Sequence, residues 1–363
     1  MLAPPDFTRT VHAILGLPFD AVDLQGACDV VRASALMRQP CFVTTPNLNF
    51  AMTSRLDDAF RKSVLVSDLS LADGVPIIWV ARLLGVPLPQ RASGASLFER
   101  LAAASEPALR VFFFGGPEGA ARDANTRLGE SLHGLRGVGA LAPGFGSVES
   151  ISDDATIDRI NASAADFLVV ALGAGKGQAW IMRNRGRLDV PVVSHLGAVV
   201  NFAAGRMVRA PRWVQWLQLE WLWRIKEEPS LWRRYWRDGV MFLRVGVTEV
   251  LPLALALRWR RQGKPGTLSQ SGPQNAPVLR LAGAWLAADA KALRERLEVL
   301  SQQGIAPAID LSEATFLDSS TLGTLMLLHG WCLQSGKPWR LACPAGVTRT
   351  LVELSGAGYL LSK

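Results

Sequence analysis

The chain has 363 residues, enough for two or three domains, and 49% of them are apolar, which excludes an intrinsically disordered protein. Its four cysteines, Cys28, Cys41, Cys332 and Cys343, are scattered and form no CxxC pair, so they make neither a disulfide framework nor a zinc motif and suit a reducing cytoplasm. The net charge of +8 is local: Arg206 to Lys264 holds 13 basic and 5 acidic residues, while the rest of the chain holds 26 of each sign.

The first 15 residues include Pro4, Pro5, Asp6 and Arg9 and lack a continuous apolar run, so they are not expected to be a secretory signal. From Cys41 to Gly205, short apolar runs alternate with helix-length segments. The runs are Cys41 to Thr45, Val111 to Phe114, Phe167 to Leu172 and Val190 to Val193. The expected helices are Phe50 to Lys62, Pro117 to Leu132 and Lys176 to Arg187. Continuous apolar strands alternating with helices predict a parallel sheet covered on both faces, with ligands bound outside the carboxyl ends of its strands.

Several short patterns sit at those strand ends, each with two readings. Thr45-Pro46-Asn47 can hydrogen-bond a ligand or cap the next helix. Asp73 before Gly74 can be a helix cap or the carboxylate that takes a proton from an attacking hydroxyl. Arg91, in Arg91-Ala92-Ser93-Gly94, can grip a phosphate or carboxylate, or lie solvated. Gly115-Gly116 can let a nucleotide approach the backbone, although this is neither GxGxxG nor a P-loop. Gly173 to Gln178, with Lys176, can contact a nucleotide or form a tight turn. Asp57-Asp58 and Asp153-Asp154 read as solvated helix residues. His12, His133, His195 and His329 lie far apart; His195 follows a strand and can serve the structure or a site. HExxH and GxSxG are absent, and no DxD triplet stands where a metal-dependent transferase would carry it.

Pro211 to Arg261 changes character, holding seven of the chain's 12 tryptophans with arginines interleaved, an interfacial composition. Its apolar stretch, Val240 to Leu257, is interrupted by Arg244, Glu249 and Pro252 and is expected to lie on a membrane or on protein without crossing. An ordinary amphipathic helical pair is the plainer reading. Nucleic acid is not the expected partner, because the tryptophans sit beside Leu and Val and no DNA or RNA motif accompanies them. Gln262 to Pro277, rich in Gly, Ser, Pro and Gln, reads as a linker, and Val278 to Lys363 as a small domain.

Taken in order, these blocks resemble the WecG/TagA/CpsF family of bacterial glycosyltransferases over residues 40–238. The resemblance rests on Thr45-Pro46-Asn47, Asp73-Gly74, Arg91 with Gly94, Phe113 to Gly116, Gly173 to Gln178, and Gly205 with Arg209-Ala210-Pro211. It continues through Leu219 to Arg224, Glu228-Pro229 and Arg234-Tyr235. It implies a Rossmann-like core and an inverting transfer from a nucleoside-diphosphate sugar, usually UDP-linked, to a polyprenyl-diphosphate acceptor in cell-envelope or exopolysaccharide synthesis. It implies a hexosyl- or N-acetylhexosaminyltransferase that needs no metal or cofactor and works peripherally on the inner face of the cytoplasmic membrane.

By the same resemblance Asp73 is the base, and Thr45, Asn47, Arg91, Gly94, Gly115, Gly116, Gly173, Lys176 and Gln178 line the substrate pocket. An appendage carrying Arg224 and Arg234, together with Arg209, closes over the site, meets the diphosphate and docks on the membrane. Self-association is common in the family. Where the family has Gly-x-Pro-Lys-Gln-Glu, this chain has Gly175 for Pro, Gly177 for Gln and Gln178 for Glu.

Ala308 to Ser312 and Phe316 to Gly323 resemble a STAS domain, the fold of anti-sigma factor antagonists. That resemblance implies a phosphorylatable serine at Ser319 that switches a partner protein; the plainer reading is a capped helix start. The expected organisation is a core over 1–210, an appendage over 211–261, a linker over 262–277 and a STAS-like domain over 278–363. An alternative function is a catalytically idle core that serves regulation through the STAS-like domain.

Overall fold

The computed structural model describes residues 5–105, 107–129, 133–207, 210–211, 213–214, 219–259 and 264–361. The chain opens with an antiparallel hairpin, β1 (Val11–Ile14) and β2 (Leu17–Asp20). After α1 (Leu24–Leu36) come β3 (Cys41–Thr44), α2 (Leu48–Ser54), α3 (Asp58–Leu65), β4 (Leu69–Ser70), α4 (Val75–Leu84) and α5 (Gly94–Ala102). Then follow β5 (Leu109–Gly115), α6 (Ala120–Gly129), β6 (Leu135–Leu141), α7 (Asp154–Ala162), β7 (Phe167–Ala171), α8 (Ala174–Asn184), β8 (Val192–His195) and α9 (Gly197–Ala203).

These strands form a six-stranded sheet in the order β4-β3-β8-β7-β5-β6, with every pairing parallel. Side chains alternate across it as the pleat requires. Val43, Val111, Phe113 and Val169 meet α1, α5, α6 and α9 on one face. Phe42, Phe112, Phe114 and Val170 meet α7 and α8 on the other. The Rossmann-like expectation holds, with two strands that the apolar runs did not reveal. β4 has two residues, and β6 is a half-exposed edge interrupted by Gly137 and Gly139. The helix expected over Phe50 to Lys62 is two helices, because Asp57 accepts the Phe60 N–H (2.9 Å) and starts a new one. Asp153 likewise caps α7. Both are caps rather than mid-helix charges.

The appendage comprises α10 (Glu220–Glu227), a short turn, α11 (Trp232–Val245), a π-helical turn over Gly246–Val250, and α12 (Leu251–Trp259). The π turn accommodates Pro252, so the helix continues from Pro229 to Arg258. Its 30 residues are long and apolar enough to cross a membrane by composition. Here it is tied to the core between Asp238 and Ala254. Asn49 donates to Asp238 (2.8 Å), Arg55 pairs with Glu249, and Val245, Val250, Leu253 and Ala254 enter the core around Phe50 and Ile77. The free face carries Trp232, Trp236, Val240, Leu243, Val247 and Leu251 at spacings of three and four residues, with Trp236 and Leu243 each 70% exposed.

The C-terminal unit has β9 (Thr267–Ser271), β10 (Val278–Trp285), α13 (Ala287–Gln302), β11 (Ala308–Asp310), β12 (Ala314–Leu317), α14 (Ser319–Ser335), β13 (Leu341–Ala342) and α15 (Val347–Leu354). Its sheet runs β12-β10-β11-β13, with β9 antiparallel to β10. Part of the stretch expected to be a linker is therefore a strand. β9 is an almost fully exposed edge, so backbone pairing forms it and no apolar pattern marks it.

Helix α14 is buried on every side from Ser320 to Cys332 because it lies between its own sheet and the N-terminal core. Two glycines permit that approach. A Cβ on Gly323 would stand 2.8 Å from the Val11 carbonyl, and one on Gly330 would stand 2.5 Å from the Leu65 carbonyl. Phe7, Val11, Ala13 and Leu65 share one apolar cluster with Leu325, Met326 and Trp331.

Candidate active site at the strand ends

The carboxyl end of β3 runs into Thr45, which is buried, and Asn47, which caps α2 by accepting the Phe50 N–H (3.1 Å). Beside it, β4 runs into Asp73. The Asp73 N–H donates to the Pro46 carbonyl (3.0 Å), which locks the two loops together. The capping reading of Asp73 fails: Gly74, not Asp73, is the N-cap residue of α4, and no side chain caps that helix. The Asp73 carboxylate instead lies 3.7 Å from Arg91 Nε, with the Gly94 N–H also favouring its charged form. Gly94 leaves no space for a side chain, since a Cβ there would be 2.4 Å from Leu196 and 3.4 Å from Thr45 Oγ1. Thr45, Asn47, Asp73, Arg91 and Gly94 are thus assembled at one place from three loops.

Burial pushes the Asp73 carboxyl above its ordinary range, and the nearby charge of Glu220 adds to this; Arg91 and Arg224 oppose it. The side chain keeps 24% exposure, so the group is desolvated yet reachable. Such a carboxylate is a stronger proton acceptor than a solvated one. The appendage supplies two of these charges. Glu220 opens α10 and forms an ion pair with Arg91, and Arg224 lies one turn further on. Glu220 is the site residue that sequence reasoning passed over, although it lies inside the Leu219 to Arg224 block. Trp221 of α10 packs on Tyr235 of α11 with ring centroids 6.2 Å apart, and Arg234 stacks on that tyrosine at 5.3 Å. Arg209 lies outside the described residues.

On the other side of the crevice, Gly115 and Gly116 have φ of +95° and +91°, and the Gly116 N–H donates to the Ala171 carbonyl (2.7 Å). A Cβ on Gly115 would be 2.7 Å from that carbonyl, so close packing of β5 on β7 accounts for it. Gly173 has φ +80°, with open space around it and no side chain capping α8. Lys176 is half-buried in the first turn of that helix, and Gln178 is 1% exposed with neither amide atom hydrogen-bonded. Among the described residues no cluster of three or more His, Cys, Asp or Glu side chains could hold a metal.

Ser319 is not among the residues gathered at the strand ends. It begins α14, which Asp318 caps by accepting the Thr321 N–H (2.8 Å). Its Oγ is 3.0 Å from His12 Nδ1 on β1, and Arg294 donates to the neighbouring Ser320 Oγ (3.3 Å). Burial, with the charge of Arg294, pushes His12 down to about 4, so this imidazole is neutral at pH 7.

The chain resembles known proteins in both units. The sequence profile of the Glycosyl transferase WecG/TagA/CpsF family matches residues 12–254, and that of the Mlab, STAS domain matches residues 268–362. One relative is the N-acetylglucosaminyldiphosphoundecaprenol N-acetyl-beta-D-mannosaminyltransferase of Bacillus spizizenii strain W23. It is 27% identical over 195 residues, covering 53% of this chain and 74% of that protein. The protein of the same name from Bacillus subtilis strain 168 is 24% identical over 230 residues, covering 62% and 86%. With two thirds of its length matched in order and the matching loops assembled at the strand ends, the chain belongs to the WecG/TagA/CpsF family of glycosyl transferases and carries a STAS domain after the transferase region.

Proposed function

We propose that this glycosyltransferase moves a hexose or N-acetylhexosamine from a UDP-sugar onto a polyprenyl-diphosphate-linked acceptor, with inversion, at the inner face of the cytoplasmic membrane. Its product would be an envelope or exported polysaccharide precursor. The observation that carries the reading is Asp73: a carboxylate at the strand ends, paired with Arg91, raised by burial, and not used as a cap. Asp73 takes the proton of the acceptor hydroxyl as that oxygen bonds to the anomeric carbon. The bond from that carbon to the diphosphate oxygen breaks, and the nucleoside diphosphate leaves with the charge. Arg224, Arg234 and Arg209 are the cations for the diphosphates, Thr45, Asn47 and Gly94 shape the acceptor side, and Gly173, Lys176 and Gln178 shape the donor side. Fixed charges of this kind act where negative charge develops.

The lipid-linked acceptor is supported by the relatives' printed activity, whose substrate is an undecaprenyl diphosphate. Membrane docking is supported by the exposed apolar stripe from Trp232 to Leu251 beside the basic surplus. Thermal shift with a panel of UDP-sugars tests the donor, because a ligand at 100 times its Kd stabilises the fold by about 2.7 kcal/mol. The stabilising sugar is then offered with a polyprenyl-diphosphate acceptor. Transfer is expected; a folded protein that binds no UDP-sugar would refute the donor assignment.

A second reading, an idle core regulated through the STAS domain and a partner protein, draws on one observation. Ser319 meets the transferase hairpin at His12, so a phosphate there would bear on the contact between the two units. Sugar transfer by the purified protein would remove the idle-core reading, and a phosphomimetic Ser319→Asp variant with altered transfer would retain the regulatory part.

A further inference from the structure

The ring of His195 ends β8 and lies against the first turn of α8. A Cβ on Gly177 would be 2.2 Å from His195 Cδ2, so any side chain at 177 would overlap the imidazole. On the other side a Cβ on Gly197 would be 3.4 Å from His195 Nε2. The ring is therefore seated between two helix starts that are glycine where they meet it. Its Nε2 is buried without a hydrogen-bond partner. One residue along α8, the Gln178 amide is 1% exposed and both of its polar atoms are also unpartnered. Native proteins pair nearly all such atoms, so three unmet ones at the start of α8 and the end of β8 call for a partner that the protein itself does not supply.

Position narrows the ligand. Neighbouring strands are about 4.8 Å apart, so the end of β8 lies about 10 Å from the end of β4, where Asp73 stands. The transferred sugar must sit within reach of Asp73. On the donor reading above, a nucleoside diphosphate running along the strand ends from there would cross β8 and β7. Burial pushes His195 down to about 4, so it offers an uncharged ring nitrogen.

Resting on the donor reading above, we propose that His195, with Gln178, forms a hydrogen-bonding subsite for the nucleoside diphosphate of the donor, the imidazole occupying the space that the side chain of the family's Gln would take at position 177.

Calorimetric titration of the full-length protein with UDP tests this, together with steady-state kinetics in which donor and acceptor are varied separately. His195→Leu is expected to weaken UDP binding roughly tenfold, about 1.4 kcal/mol. The KM for the UDP-sugar should rise by a similar factor, with kcat and the acceptor KM within about twofold of wild type. Gly177→Gln alone should lower the melting temperature by overlap with the ring. The double variant Gly177→Gln with His195→Gly should recover both stability and UDP affinity. Folded His195→Leu binding UDP as tightly as wild type, or a stable double variant that stays weak, overturns the subsite while leaving the donor reading intact. Wild type that binds none of UDP, GDP and dTDP overturns the donor reading and the subsite with it.

Discussion

Replacing Asp73 with Asn removes a charge and leaves the shape. Its cost to the fold can be worked from the contacts. Arg91 keeps its partner, because Glu220 pairs with it independently. The Asp73–Arg91 pair is partly exposed, at 24% and 30%, and lies 3.7 Å apart, so its loss costs at most about 1 kcal/mol. Burial already disfavours the Asp73 charge, and relieving that offsets the loss. The melting temperature should stay within about 4 °C of wild type. Activity should not. A positioned general base is worth roughly 10²- to 10⁴-fold, or about 3–5 kcal/mol of barrier.

The assay is transfer of labelled sugar to a polyprenyl-diphosphate acceptor, with UDP affinity measured on the same preparation. The expected result is UDP binding near wild type and turnover lower by at least a hundredfold. Turnover within tenfold of wild type, in folded protein, would refute Asp73 as the base. The stability sign is separate. A carboxyl raised in the folded state binds protons better there than unfolded, so its ionisation costs stability above the folded pKa. That cost disappears as pH falls below the ordinary carboxylate range. Any stability advantage of the Asn variant should therefore be seen at neutral pH and fade in acid.

Glu220→Gln should move the acidic limb of the kcat/KM profile to lower pH, since the Glu220 charge helps raise Asp73; an unmoved limb would separate α10 from the chemistry. Trp232 and Trp236 are 52% and 70% exposed, so each has roughly 3 kcal/mol of burial to offer a bilayer that covers it fully. Changing both to Ser should weaken sedimentation with anionic vesicles more than tenfold and leave UDP binding alone, and unchanged sedimentation would argue against that face. His12, lowered from 6.5 to about 4, is neutral when folded while the unfolded chain takes up the proton. Stability should therefore fall as pH drops from 6.5 toward 4, by up to about 3 kcal/mol from this group. Denaturant unfolding at several pH values checks this, and His12→Asn should flatten the slope.

The strands were legible where burial on both faces makes them continuously apolar, as in Phe167–Ala171. They were hidden where backbone pairing does the work alone, as in β9, or where only two residues pair, as in β4. The ends of α2 and α3 escaped notice because an Asp that caps a helix and an Asp on its surface look alike in a string of letters.

The sequence by itself determined the composition of the layers, the placing of the whole net charge between Arg206 and Lys264, and the order of short blocks that marks the family. Local chemistry could not choose between Asp73 as cap and Asp73 as base, because both uses want the same side chain at a strand-to-helix turn. Strand order made the choice. Putting β4 beside β3, with α5 and α10 folded over their ends, brings residues 45, 73, 91 and 220 together from loops far apart in the chain. The burial of α14 against β1 was likewise decided in three dimensions, since Gly323 and Gly330 acquire a reason only when the backbones of Val11 and Leu65 lie against them.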